Sequence, residues 1–202
     1  YLPVDPKDIG RTYEAIIRIN AQSGKGGVAW ILKENFGIDL PKAMHPEIGR
    51  IVNEAADRAG KELSAEAIKN IFDTEYLQAL SPIRVLHFHG EHYDEAANIT
   101  TIDAELEIQN RNVRVTSSGS GPLDALSQGI AEAGYTGYEV ADFHEAAIGE
   151  GAEARAAAFV RITIPIKGSS RRQEFWGVGI HRSITTAGLM ALVSAVNRAF
   201  RD

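Results

Sequence analysis

Ser118-Gly119-Ser120-Gly121-Pro122-Leu123-Asp124-Ala125-Leu126 is the stretch whose reading decides the fold. Sixty-six positions later the chain reads Ile184-Thr185-Thr186-Ala187-Gly188-Leu189-Met190-Ala191-Leu192. Both follow a strand-like run, both begin with small residues, and both carry Leu-x-Ala-Leu at the same register. Pro122 suits the first position of a helix. A small, hydroxyl- or glycine-rich helix start aims free backbone N–H groups outward, which suits an anion such as a carboxylate. Two such starts in one chain predict a pseudo-symmetric site for a small acidic ligand.

The flanking sequence fits two copies of one plan. From Thr101 to Gln109 the alternation is clean, with Ile102, Ala104, Leu106 and Ile108 on one face and Asp103, Glu105 and Glu107 on the other. That is a strand with one buried face. Asn110-Arg111-Asn112 reads as a turn into a second strand, Val113 to Thr116. The helix from Pro122 presents Leu123, Leu126, Ile130 and Ala133, and Gly134 ends it. Tyr138 to Phe143 is strand-like again. Val160, Ile162, Ile164 and Ile166 alternate with Arg161 and Thr163, and Trp176, Val178 and Ile180 form another strand. Leu189, Leu192, Val193 and Val196 line the last helix, with Arg198 and Arg201 near its negative end. Residues from about Pro82 onward therefore read as an α+β domain of two strands-then-helix (βββα-like) units packed together. Sheet edges and apolar helix faces on such small units also predict a second subunit.

Residues 1–81 have a different character. Tyr1 to Asp8 is an extended, proline-punctuated entry. Ser23 reads as the cap of a helix carrying Val28, Ile31, Leu32, Asn35 and Phe36, stopped by Gly37. Met44, Ile48, Ile51, Val52, Ala55 and Ala59 make a second helix ending at Gly60. Ser64 caps a third, with Ile68, Ile71, Phe72 and Tyr76 on its apolar face.

Composition narrows the function classes. Of 202 residues, 44% are hydrophobic, enough for a packed core. Lys plus Arg is 21 against 27 Asp plus Glu, for a net charge of -6, a poor balance for a nucleic-acid or anionic-membrane surface. The chain holds no cysteine, which removes disulfide and thiolate chemistry and suits the cytoplasm. No apolar run is long enough to span a bilayer. The chain opens on Tyr1 rather than Met and reads as a piece of something longer.

Other motifs carry less. Ser23-Gly24-Lys25-Gly26-Gly27 lacks the spacing of a phosphate loop and reads as a helix start. His87, His89 and His92 have no carboxylate pattern beside them that completes a metal site. Ala152 to Ala158 reads as a small-residue packing segment. No Ser/His/Asp, Cys/His or paired-carboxylate arrangement stands out.

Several longer motifs bear a resemblance. Tyr1-Leu2-Pro3-Val4-Asp5-Pro6-Lys7-Asp8-Ile9-Gly10-Arg11 and Gln22-Ser23-Gly24-Lys25-Gly26-Gly27-Val28-Ala29 resemble the segment that follows the catalytic barrel in 2-isopropylmalate synthases. The Gly119 to Leu123 turn, Ala156-Ala157-Ala158-Phe159, Trp176-Gly177-Val178-Gly179-Ile180, Ser183-Ile184-Thr185-Thr186-Ala187 and Val193-Ser194-Ala195-Val196-Asn197-Arg198-Ala199 resemble its carboxy-terminal leucine-sensing domain. The match spans essentially the whole chain and is looser from Ala43 to Asn98.

The resemblance implies helical linker subdomains at 1–81 and an allosteric, leucine-binding, dimerisation domain at 82–202. The family's reaction condenses acetyl-CoA with 2-oxoisovalerate, using a divalent metal held by a barrel whose residues are not in this chain. The fragment itself then needs no cofactor and is inactive alone. Its implied partners are L-leucine, a second copy and the barrel, with neither nucleic acid nor membrane. Tyr1 matches a tyrosine that reaches toward a neighbouring subunit's active site. The implied effector site is Gly119, Ser120 and Gly121 at the turn, Thr185 and Thr186 at the second helix start, and Leu123, Val140, Phe143, Ala147, Ala156 and Ile184 around an apolar pocket. Ser120 stands where asparagine is frequent and Phe143 where tyrosine is common. Two alternatives stay open: a related acyltransferase such as citramalate synthase, sensing isoleucine or another small acid, and a dimerisation module without a ligand.

Overall fold

The computed structural model describes residues 25–149 and 151–201. Tyr1, the proline-punctuated entry and the Ser23 cap lie outside the described residues. The first helices are α1 (Lys25–Phe36), α2 (His45–Ala59) and α3 (Ala65–Phe72). Gly37 and Gly60 follow α1 and α2 at φ of 68° and 62°, the left-handed stop expected of them. Ser64 caps α3, its hydroxyl accepting the Ala67 amide at 3.2 Å. Tyr76, expected on α3, lies instead in a π-helical turn, Asp73–Leu77, that continues it.

The rest of the chain is βββα twice. Strands β1 (Ile83–Asp94), β2 (Ile99–Ile108) and β3 (Arg111–Gly119) precede α4 (Pro122–Glu132). Strands β4 (Glu139–Ile148), β5 (Arg155–Pro165) and β6 (Arg172–His181) precede α5 (Ile184–Ala199). Each triplet is an antiparallel sheet with its middle strand central. The expected α+β class is the class found.

Details differ from the sequence reading. The β2–β3 turn is Gln109-Asn110, both at positive φ (50° and 64°), so Arg111 and Asn112 already belong to β3. That is the turn geometry whose twist matches a two-residue hairpin. Ala133 is past the end of α4 and exposed. The latter part of the Ala152–Ala158 run is the start of β5. Helix α5 begins at Ile184, whereas Pro122, the first residue of α4, aligns with Gly188 in the sequence repeat. The second helix thus has one extra turn at its start. The buried pairs Ala125-Leu126 and Ala191-Leu192 still keep the repeat's register.

Strand β5 is buried on both faces. Ala157 and Phe159 join an apolar cluster with α1, α2 and α3, while Ala158, Val160 and Ile162 join α4, α5 and the inner face of β2. Gly177 and Gly179 of β6 let α5 lie directly on the sheet. A Cβ at either would fall 2.1 Å from a carbonyl of α5, Ala191 or Ala187.

Three polar residues of α5 tie the halves together. Ser194 donates to the Tyr76 carbonyl at 2.6 Å. Asn197, fully buried, accepts the Ile83 amide at 3.0 Å and donates to the Ala79 and Ile83 carbonyls at 2.6 Å each. Arg198 lies in the last turn of α5, as expected, and is also a buried hub. It pairs with Glu47 at 2.7 Å and Glu75 at 2.8 Å, donates to the Trp176 carbonyl and covers the Tyr76 ring. Burial pushes its value down, but Tyr76 and the two carboxylates outweigh that and the net shift is upward. Among the described residues no helix is long and apolar enough to cross a membrane.

Candidate functional site

A β-bulge builds the site. In β4, Val140 pairs with Ile162 and Asp142 with Arg161, so Ala141 is an extra residue. Phe143 then pairs with Val160. Without the bulge, residues three apart would point to opposite faces. With it, Val140 and Phe143 both face α5. The first unit has the same device: β1 slips between Val85 and His87, bringing Val85 and Phe88 opposite Leu106 and Ala104. Val-x-x-Phe therefore marks the first strand of each unit.

Above Val140 and Phe143 lies a cavity of about 740 Å³, where the starts of α4 and α5 converge on β4. Ser120, Gly121, Leu123, Val140, Phe143, Ile184 and Thr185 of the expected site line it. Gly119, Ala147, Ala156 and Thr186 do not. Gly119 ends β3, where a Cβ would fall 2.5 Å from the Ala125 amide, so it is a close-approach residue. Ala147 and Ala156 are paired further along the same inner face. The Thr186 amide is capped by the Ser183 hydroxyl at 3.3 Å. Gly121 is extended (φ -171°), with open space around a Cβ, so its conformation does not require glycine.

The sequence reading missed Pro122, Asp124, Ser127, Gln128, Tyr138, Glu139, Glu145 and Gly188, which also line the cavity. Asp124 is the informative one. Its carboxylate accepts the Ser120 amide at 2.8 Å and the Ser120 hydroxyl at 3.0 Å. The amide bond is the main cause of its lowered pKa. Asp124 thus ties the residue before the cap to the first turn of α4, while the helix itself has no side-chain cap. Tyr138 receives the Ser127 hydroxyl at 3.0 Å, and burial raises its pKa. Gly188 brings α5 close: a Cβ there would touch Leu123 and Phe143 at 3.6 Å.

The cavity is divided chemically. Leu123, Val140, Phe143 and Ile184 give an apolar wall, and the last three are large apolar side chains left substantially exposed. Asp124, Glu139 and Glu145 line it, Glu139 also pairing with Arg172 at 3.2 Å, and among the described residues no cation lines it. Ser183 takes the Thr186 amide, and the amides of Ile184 and Thr185 have no intrahelical partner, so the α5 start offers donors to an anion. The arrangement can hold a molecule with a positive group, a negative group and an aliphatic body. Among the described residues no three His, Cys, Asp or Glu side chains gather as a metal site would need, and His87 and His89 stand with ring centres 6.2 Å apart.

The family model described as the LeuA allosteric (dimerisation) domain matches residues 62–200. The chain belongs to that family. A second model, alpha-isopropylmalate synthase post-catalytic domain-like, matches residues 1–33. The chain is 42% identical to a 2-isopropylmalate synthase of Mycobacterium ulcerans, aligning over 100% of its own length and 35% of the relative's. It is 42% identical to one of Thermobifida fusca over 98% of the chain and 33% of the relative. For one of Clostridium acetobutylicum the identity is 39%, over 98% and 35%. The chain thus spans about a third of the length of these relatives. Both helix starts at the cavity, and the whole of β4, fall within the stretch matched by the LeuA domain model.

Proposed function

We propose that the cavity between the α4 and α5 starts binds L-leucine, and that the chain is the feedback-regulatory part of a cytoplasmic 2-isopropylmalate synthase. Residues 1–81 are then the linker and 82–202 the effector domain. One observation carries the reading: three carboxylates, a helix start and an apolar wall share one cavity. An α-amino acid matches all three. Its ammonium suits Asp124, Glu139 and Glu145, its carboxylate the α5 amides, and a branched side chain Leu123, Val140, Phe143 and Ile184. Leucine biosynthesis by condensation of acetyl-CoA with 2-oxoisovalerate, and the divalent metal it uses, belong in this reading to a catalytic barrel outside the chain. The described residues contain no donor set to hold that metal. Inhibition requires leucine to bind two states of the whole enzyme unequally. The open cavity rim and the domain family's dimerisation label support a two-fold pair of chains.

A thermal-shift series tests this. Leucine at ~100 Kd adds about 2.7 kcal/mol, or roughly 5–10 °C for a domain of this size. Isoleucine and valine should shift less. 3-Methylbutan-1-amine, which keeps leucine's branched tail and ammonium but lacks the carboxylate, should not reproduce the leucine shift. Equal shifts with isoleucine would favour the related acyltransferase. No shift with any amino acid would leave only the dimerisation role.

A further inference from the structure

A second cavity, of about 340 Å³, lies where the helices meet both sheets. Its apolar walls come from Phe36 at the end of α1 and Ile38 after it, Val178 and Ile180 of β6, and Met190 and Val193 of α5. Its charged lining residues are Lys69, Arg84 and Arg155, and among the described residues no carboxylate lines it. That is the reverse of the first cavity, and it occurs in a chain with 27 acidic and 21 basic residues. Lys69 is held by Asp73 at 2.5 Å and Arg84 by Glu107 at 2.9 Å. Arg155 is exposed and enters none of the ion pairs among the described residues.

The pseudo-symmetry gives the charge reversal a place. Glu139-Val140 lead into the β4 bulge at the first cavity, and Arg84-Val85 lead into the β1 bulge at the second. Equivalent strand positions thus present a carboxylate to one cavity and a guanidinium to the other.

We propose that this second cavity binds a small organic anion, a carboxylate carried on a short branched aliphatic chain. The chain packs among Phe36, Val178, Met190 and Val193, removing apolar surface from water. The carboxylate meets Arg155, whose planar donors match it, with Arg84 and Lys69 adding positive potential. A free amino acid is disfavoured, because its ammonium would face three cations with no lining carboxylate. Inorganic phosphate lacks the tail that the apolar wall requires. The site is independent of the leucine cavity and sits at the seam between α1, α3, β1, β6 and α5.

The test is calorimetric titration of the chain, held in saturating leucine, with 4-methylpentanoate, 4-methylpentan-1-ol and 4-methylpentan-1-amine. The carboxylate should bind, the alcohol at least about tenfold more weakly, and the amine not at all. Arg155→Gln should weaken the carboxylate by about tenfold and leave the leucine titration unchanged. Met190→Trp should fill the cavity and abolish carboxylate binding, with circular dichroism reporting that the variant is folded. Carboxylate heat without leucine heat would sink the leucine reading alone. The absence of carboxylate heat at millimolar ligand, equal binding of all three probes, or unaltered affinity in both variants would overturn this proposal.

Discussion

Replacing Asn197 with alanine should be among the most damaging single changes in the chain. Its side chain makes three hydrogen bonds to the backbone more than a hundred positions away, at Ala79 and Ile83. Those bonds hold the strap between the π-helical turn and β1 against α5. Alanine leaves one N–H and two carbonyls without these partners beside a fully buried position. A buried polar group left unpaired costs about 1–3 kcal/mol, with carbonyls at the lower end. The total is about 3–5 kcal/mol, a large fraction of the ~5–15 kcal/mol typical of a native domain. Urea unfolding followed by Trp176 fluorescence reads it, since that indole is 1% exposed. With a slope of about 2 kcal/mol/M, the midpoint should fall by about 1.5–2.5 M. The Ile83 amide should lose hydrogen-exchange protection. Asn197→Asp keeps the acceptor but loses both donors and buries a charge, so it should be no better. A midpoint unchanged within error, with Ile83 still protected, would refute the claim that Asn197 holds the strap.

Gly177→Ala places a Cβ 2.1 Å from the Ala191 carbonyl and 2.2 Å from the Ala195 amide, so α5 must move. Overpacking of that kind costs about 1–3 kcal/mol, and a melting curve should show it. Arg198→Met leaves Glu47 with the Tyr76 hydroxyl and Glu75 with Arg201, but removes the buried guanidinium between them, and should cost about 3 kcal/mol, partly restored by adding Glu75→Gln. Asp124→Asn should lower the melting temperature slightly at neutral pH and leave it unchanged in acid. The folded-state pKa of Asp124 is depressed, so its contribution is complete above the unfolded value near 3.9 and vanishes as pH falls through the lower folded value.

The sequence was most informative where one face of an element is buried. The Ile102 to Ile108 alternation and the Gly37, Gly60 and Ser64 punctuation state their geometry directly, and the structure agrees with each. Strand β5 was harder, because helices cover one face and α5 the other, so Ala157 to Val160 form an unbroken buried run with no period to read. Strand β1 hides its period behind two bulges, the first of which displaces Phe88 relative to Val85. The same effect limited the candidate site. Val140 and Phe143 were named from resemblance, and three-residue spacing on a strand would have separated them. The lining carboxylates Glu139 and Glu145 sit on that strand in a chain that is 24% charged, where neither position stands out. The extra turn at the start of α5 is marked only by Ser183, whose capping role depends on the hydroxyl meeting the Thr186 amide.

Calorimetric titration of leucine into the parent chain and into Thr185→Asp tests the central claim most directly. Thr185 lies in the first turn of α5 and lines the cavity. An acidic residue suits the positive end of a helix, so the variant should melt at the same temperature or higher. Its carboxylate stands where the account seats the carboxylate of leucine, adding a negative charge beside the ligand's own. The account predicts a well-folded variant whose leucine affinity is at least about tenfold weaker, 1.4 kcal/mol or more. A folded Thr185→Asp chain that binds leucine as tightly as its parent would contradict it.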